Sequence, residues 1–203
     1  IDITGITLPI TKHSYMVLEA NSLARTVKEA FYLARSGRPG PVLIDLPRDV
    51  QIEQAEVHQP IKIDLPGYKI PTKGHPTQIK NAAKLIGEAQ RPLIIAGRGV
   101  LIAKASDELK QFAETGQIPV ITTLLGIGSF PENHMLSYGM AGMHGAGYAN
   151  KALDNTDLLI AVGMRFDDRV TGKVSAFAPH ARIIHVDLDP AEIGERSGGI
   201  RPK

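Results

Sequence analysis

The run Asp157-Leu-Leu-Ile-Ala-Val162 leads straight into Gly163-Met-Arg-Phe-Asp-Asp-Arg169, so an apolar segment empties into glycine and a knot of charge. No other stretch restricts the fold as much. Strands buried on both faces of a parallel sheet read as continuous apolar runs, and ligands of such sheets bind at the carboxyl ends, where the loops emerge. Two arginines and two aspartates at that edge suit a ligand that carries both phosphates and hydroxyls.

The neighbouring sequence extends the pattern. Apolar runs at Pro92–Ala96, Ile118–Ile121 and Arg182–Val186 read as further strands, and helical spacing fills the gaps. One helix starts at Pro76-Thr77 with Ile79, Ala82, Ala83, Ile86 and Ala89 on its apolar side; others are expected at Ser106–Thr115 and Ala146–Asn155. Alternating strands and helices imply an α/β class and a parallel sheet wound in right-handed crossovers. Residues 77–203 are therefore expected to form a Rossmann-like six-stranded domain, cut short at its C-terminal end.

A second α/β domain precedes it, represented by its last helix and strand within residues 1–50. Leu23, Val27, Ala30, Phe31 and Ala34 have helical spacing over 21–36, with Asn21 as the expected cap and Gly37 as the stop. Val42–Leu46 reads as a buried strand ended by Pro47. Residues 51–76 carry prolines at 60, 66, 71 and 76, glycines at 67 and 74 and no sustained periodicity, the marks of an extended linker.

Composition narrows the function. The 203 residues are 43% hydrophobic and 22% charged, a globular balance, and a formal net charge of +2 with no basic stripe argues against a nucleic-acid surface. Without cysteine there is no disulfide, thiolate metal site or thiol nucleophile. No apolar run approaches the roughly 20 residues that span a bilayer, and no signal peptide opens the chain. It does not begin with methionine, so an excerpt of a longer protein is expected.

The loop after each strand of the second domain offers ligand chemistry. Gly97-Arg98-Gly99 combines small residues with a cation, and Thr122-Thr-Leu-Leu-Gly-Ile-Gly128 offers hydroxyls and amides; either loop can equally be a plain tight turn. Asp187, at the end of a strand, is the candidate acceptor for ribose hydroxyls. Asp189 precedes Pro190 and stands three residues before Glu192, the pattern of a helix cap. Gly139–Gly147 holds four glycines with Met140, Met143 and His144, a backbone-rich surface suited to a flat aromatic ring.

Four segments together resemble one family: Ser36-Gly-Arg-Pro-Gly-Pro-Val-Leu-Ile-Asp45, Leu125-Gly-Ile-Gly-Ser-Phe-Pro131, Gly142-Met-His-Gly145 and Gly163-Met-Arg-Phe-Asp-Asp-Arg-Val-Thr-Gly172. They are similar to the catalytic subunits of the acetolactate synthases, or acetohydroxyacid synthases, which are thiamine diphosphate-dependent enzymes. The resemblance implies that residues 1–50 end a pyrimidine-binding domain and that 77–203 form the central FAD-binding domain. It implies FAD contacts at Arg38, Arg98, Thr123, Leu124, Ala141, Gly142, Met143, His144, Gly163, Met164, Arg165, Phe166, Asp167, Asp187 and Leu188. It places Lys12, Arg48, Met143, Asp168 and Arg169 along the substrate or inhibitor channel. Arg48 stands where plant members have lysine, and the two differ in hydrogen-bond geometry.

The implied reaction decarboxylates pyruvate on thiamine diphosphate and joins the two-carbon unit to a second 2-oxoacid. The product, 2-acetolactate or 2-aceto-2-hydroxybutyrate, leads to valine, leucine and isoleucine. The implied partners are pyruvate and 2-oxobutyrate, a second copy in a homodimer or homotetramer, and a regulatory small subunit, in the cytoplasm or the plastid stroma. Thiamine diphosphate and Mg2+ belong to the full-length enzyme. The family's activating glutamate is expected upstream of Ile1, and no Gly-Asp-Gly segment occurs here, so neither a catalytic residue nor a metal ligand is assigned. Two alternatives stay open: another thiamine diphosphate enzyme, such as glyoxylate carboligase or a 2-oxoacid decarboxylase, and a non-enzymatic flavin- or nucleotide-binding module.

Overall fold

The computed structural model describes residues 1–56, 62–63 and 65–193 and divides the chain into two compact units, Ile1–Thr72 and Lys73–Lys203. In the first, α1 (Ile3–Thr7) starts where the Asp2 carboxylate accepts the Gly5 N–H at 2.8 Å. Strand β1 (His13–Met16), helix α2 (Ala20–Arg35) and strand β2 (Val42–Asp45) form a parallel crossover in the register His13↔Val42 to Met16↔Asp45. Short α3 (Arg48–Ile52) follows and brings Val50 onto Val17 and Ala20 in a small core flanked by Leu23, Ile44 and Leu46.

Helix α2 departs from expectation at its start. Asn21 lies inside the helix, and Glu19 is the cap residue without a side-chain cap bond. The Glu53 carboxylate caps the helix from a distance by accepting the Ala20 N–H at 2.9 Å, while Asn21 Oδ1 accepts the Glu56 N–H. Phe31 is exposed, and Ala20, Ala30 and Leu33 form the buried stripe instead. Gly37 ends the helix as expected, in the left-handed region at φ 58°.

The second unit contains one parallel five-stranded sheet. In chain order it runs α4 (Pro76–Glu88), β3 (Pro92–Ala96), α5 (Arg98–Ala103), α6 (Ser106–Gly116), β4 (Val120–Thr122), β5 (Ser137–Met140), α7 (Gly147–Asn155), β6 (Leu158–Val162), α8 (Asp168–Thr171) and β7 (Arg182–Val186). The spatial order is β5-β4-β3-β6-β7, with all neighbours parallel.

Side-chain parity builds the layers. Leu93, Ile95, Leu159 and Ala161 point to one face, where Ala149 and Leu153 of α7 cover them; Ile94, Ala96, Leu158 and Ile160 point to the other, under Leu109 and Ala113 of α6 and Leu85 and Ile86 of α4. Burial on both faces explains why β3 and β6 read as unbroken apolar runs. Truncating one of these side chains, as in Leu159→Ala, costs about 2–5 kcal/mol.

Sheet and helices follow the α/β expectation, with local corrections. β4 begins two residues later than the expected Ile118, β5 was not anticipated, and Gly97-Arg98-Gly99 leads directly into α5. Asp189 Oδ1 accepts the Ala191 N–H at 2.9 Å, but residues 190–193 form a turn and not the expected helix among the described residues. Among the described residues the sheet has five strands, four of them expected by position, where six were expected in all. No helix among the described residues is long and apolar enough to cross a membrane.

Candidate functional site

Because β3 to β7 are all parallel, their carboxyl ends share one rim. That rim carries Arg98 after β3, Thr123 and Leu124 after β4, Ala141 to His144 after β5, Gly163 to Arg169 after β6, and Asp187 with Leu188 after β7. The chain adds β4 and β5 on one side of β3, then returns to add β6 and β7 on the other. This reversal falls between β3 and β6, the position at which open α/β sheets accept ligands.

Glycine holds those two loops in backbone contact. A Cβ on Gly97 would lie 2.4 Å from the Gly163 carbonyl oxygen, and one on Gly163, which has φ 59°, would lie 2.7 Å from the Gly99 Cα. The Gly99 N–H donates to the Gly163 carbonyl at 2.8 Å. These glycines therefore serve first to let neighbouring loops approach each other.

The turn after β6 concentrates charge. Arg165 and Asp167 form an ion pair at 2.7 Å, and the Asp167 carboxylate caps α8 by accepting the Arg169 N–H at 3.1 Å. That backbone bond and the nearby Arg165 and Arg169 charges hold the Asp167 carboxyl below the usual range. Met164 and Phe166 alternate with the charges, and their side chains are buried in the core. They can offer a ligand backbone groups only. Asp168 and Arg169 have exposed side chains.

The turn after β5 is fastened to the same place. The Met143 N–H donates to the Arg169 carbonyl at 3.0 Å, which brings Met143, Asp168 and Arg169 together. Gly142, at φ 109°, fits only without a side chain: a Cβ would stand 2.8 Å from that same carbonyl oxygen. Asn150 on α7 clamps Gly142 through both amide atoms, at 2.9 and 3.0 Å. Met143, His144 and Leu124 are exposed, whereas Thr123 and Ala141 are buried.

After β7, Asp187 Oδ1 accepts the Asp189 N–H at 2.8 Å. Its Oδ2 stands 4.0 Å from His185 Nε2, outside hydrogen-bond range, and retains capacity to accept.

Lys12, Arg38 and Arg48 belong to the first unit. Lys12 Nζ approaches the carbonyls of Leu33, Ser36 and Arg38, at 2.6 Å for Leu33 and 3.0 Å for Arg38, and the Tyr68 hydroxyl at 3.1 Å. An ammonium at the carbonyl-rich end of α2 satisfies groups that no helical partner reaches. It also fixes the backbone at Arg38, whose side chain is exposed. Arg48 is the exposed first residue of α3. Lys12, His13, Tyr15, Leu33, Leu65, Pro66 and Tyr68 surround a small cavity of about 260 Å³ within this unit.

Two residues important to this geometry escaped sequence reasoning, Asn150 and His185. Neither stands in a motif; each acts on a backbone group of a different element, and a periodicity cannot reveal that.

Strand order and charged turns define an open, doubly wound α/β domain of the Rossmann type. The family described as "Thiamine pyrophosphate enzyme, central domain" matches residues 79–200, and the chain belongs to it. It is 56% identical over 194 residues to the acetolactate synthase large subunit of Corynebacterium glutamicum, a match covering 96% of this chain and 31% of that protein. It is 54% identical to the probable acetolactate synthase large subunit of Methanocaldococcus jannaschii, covering 96% of this chain and 34% of the relative. Acetolactate synthase of Arthrospira platensis is 53% identical, with 96% and 34% covered. The chain thus spans about a third of the length of these curated relatives.

Proposed function

We propose that this chain is a segment of an acetolactate synthase catalytic subunit in which the second unit holds FAD along its sheet rim. The observation that carries the reading is the convergence of five loops on one edge, at the strand-order reversal. The names of the relatives agree with it.

The donors and acceptors at the rim fit a flavin dinucleotide. Arg98 and Arg165 supply cations for the diphosphate, and Asp187 supplies an acceptor for ribose hydroxyls. The turns Ala141–His144 and Gly163–Asp167, with Thr123, Leu124 and Leu188, supply backbone edges and apolar surface. The family resemblance assigns Arg38, in the first unit, to the same cofactor. FAD here acts as a bound, non-turning cofactor, and this chain's residues bind and orient it. The same resemblance assigns Lys12, Arg48, Met143, Asp168 and Arg169 to the substrate or inhibitor channel.

In the full-length enzyme, thiamine diphosphate supplies the carbanion chemistry that decarboxylates pyruvate and ligates the remaining two carbons to pyruvate or 2-oxobutyrate. The 203 residues include no Gly-Asp-Gly segment to hold its diphosphate through Mg2+, so these residues do not form that site. Assembly as a homodimer or homotetramer with a regulatory small subunit belongs to the same reading.

The test uses the full-length enzyme. Flavin released by denaturation should have the mass of the adenine dinucleotide, and Arg165→Ala and Asp187→Ala should each weaken FAD retention with an unchanged circular dichroism spectrum. Full retention in both variants would overturn the assignment, and bound ADP in place of flavin would point to a different thiamine diphosphate enzyme.

A further inference from the structure

We propose that His185 is a positioning residue that holds the Arg165 turn from beneath, an inference that rests on the FAD reading of the rim. His185 lies on β7 opposite Ala161 of β6, with its side chain fully buried. Its Nε2 stands 2.8 Å from the Met164 carbonyl oxygen. A carbonyl can only accept, so Nε2 carries the proton and donates. The ring also meets Phe166 edge-on, with centroids 5.0 Å apart and planes at 72°, and Phe166 in turn meets Phe177 at 5.9 Å. One imidazole thereby fixes both neighbours of Arg165, Met164 by its carbonyl and Phe166 by its ring.

The second nitrogen shows why this residue is more than core filler. With Nε2 engaged at Met164, Nδ1 is left buried without a hydrogen-bond partner among the described residues. A buried, unsatisfied polar atom opposes stability, and an apolar side chain of similar volume would avoid that loss. Histidine at this position makes sense if the bond to Met164 sets the turn that presents Arg165 and Asp167. The same ring stands 4.0 Å from the Asp187 carboxylate, outside hydrogen-bond range, so its hold is on the Arg165 turn alone.

Variants of the full-length enzyme separate positioning from packing. His185→Leu relieves the unpartnered Nδ1 but strands the buried Met164 carbonyl, so its thermal midpoint should stay near wild type while FAD binding weakens about tenfold, the equivalent of one lost hydrogen bond. His185→Gln can bring an N–H near the position of Nε2 and should recover FAD binding to within roughly threefold of wild type. Trypsin cleavage after Arg165 in the FAD-free protein, which does not depend on the cofactor, should be faster in His185→Leu and near the wild-type rate in His185→Gln. His185→Asn, polar but too short to reach, replaces the leucine variant if that one does not fold. Equal FAD affinity and equal cleavage in all variants would overturn the proposal, as would equal losses in the leucine and glutamine variants. Arg165→Ala and Asp187→Ala serve as controls. If they lose FAD and His185→Leu does not, the positioning role alone fails; if they too keep it, the FAD reading fails.

Discussion

Asn150 grips Gly142 at both ends of its amide: Oδ1 accepts the Gly142 N–H at 2.9 Å, and Nδ2 donates to the Gly142 carbonyl at 3.0 Å. The pair fastens the Ala141–His144 turn to α7 where no strand neighbour could. At about 1 kcal/mol net for each bond, Asn150→Ala should destabilise the protein by about 2 kcal/mol, and Asn150→Asp, which keeps only the acceptor, by less. Denaturant unfolding measures the difference, and FAD retention should fall in the same order.

The contact between the β3 and β6 loops should tolerate no side chain. Gly163→Ala adds a Cβ 2.7 Å from the Gly99 Cα at a left-handed φ of 59°, so a loss of about 2 kcal/mol or more is expected, read as a thermal midpoint several degrees lower. Gly147→Ala is the matched control. It meets nothing within 4 Å, lies at the first position of α7, and should shift stability by less than about 1 kcal/mol.

Much of the second unit was legible because burial on both faces writes itself into sequence. Strands β3 and β7 appear at their expected limits, and β6 within one residue. Strand β5 escaped because Ser137-Tyr-Gly-Met140 is an edge strand, only partly buried, with a glycine inside it. Strand β1, His13-Ser-Tyr-Met16, hid for a similar reason. The candidate site residues were named from the loops after the strands and from the family likeness. The groups that hold them in place were not, because Glu53 at the start of α2, Asn150 at Gly142 and His185 at Met164 act across long stretches of chain on another element's backbone.

Acid should loosen the second unit at two carboxylates. Burial opposes ionisation of Asp157, but the N–H groups of Gln90 and Arg91 outweigh it and hold its carboxyl below the usual range; Asp167 is lowered chiefly by the Arg169 N–H. A depressed folded pKa contributes stability that is present in full above the unfolded value of about 3.9 and is lost as the pH falls through the folded one. Unfolding free energy should therefore decline below about pH 4. Asp157→Asn should flatten that decline in a pH series of urea titrations, and an unaltered slope would count against the assignment.

The first unit has its own pin. Lys12→Met removes the cation from the Leu33, Ser36 and Arg38 carbonyls and should cost about 2 kcal/mol in thermal or denaturant unfolding. Tyr68→Phe, which deletes a hydroxyl bonded to Lys12 and Ser36, should cost about 1 kcal/mol. Comparable losses in the two variants would mean that the ammonium adds nothing beyond the phenol.

Where Gly97, Gly99 and Gly163 cross, two loops from opposite halves of the winding touch main chain to main chain, with no compliant side chain between them. Arg98 and Arg165 thus stand on two turns joined through one main-chain contact, and the spacing of their backbones is set there.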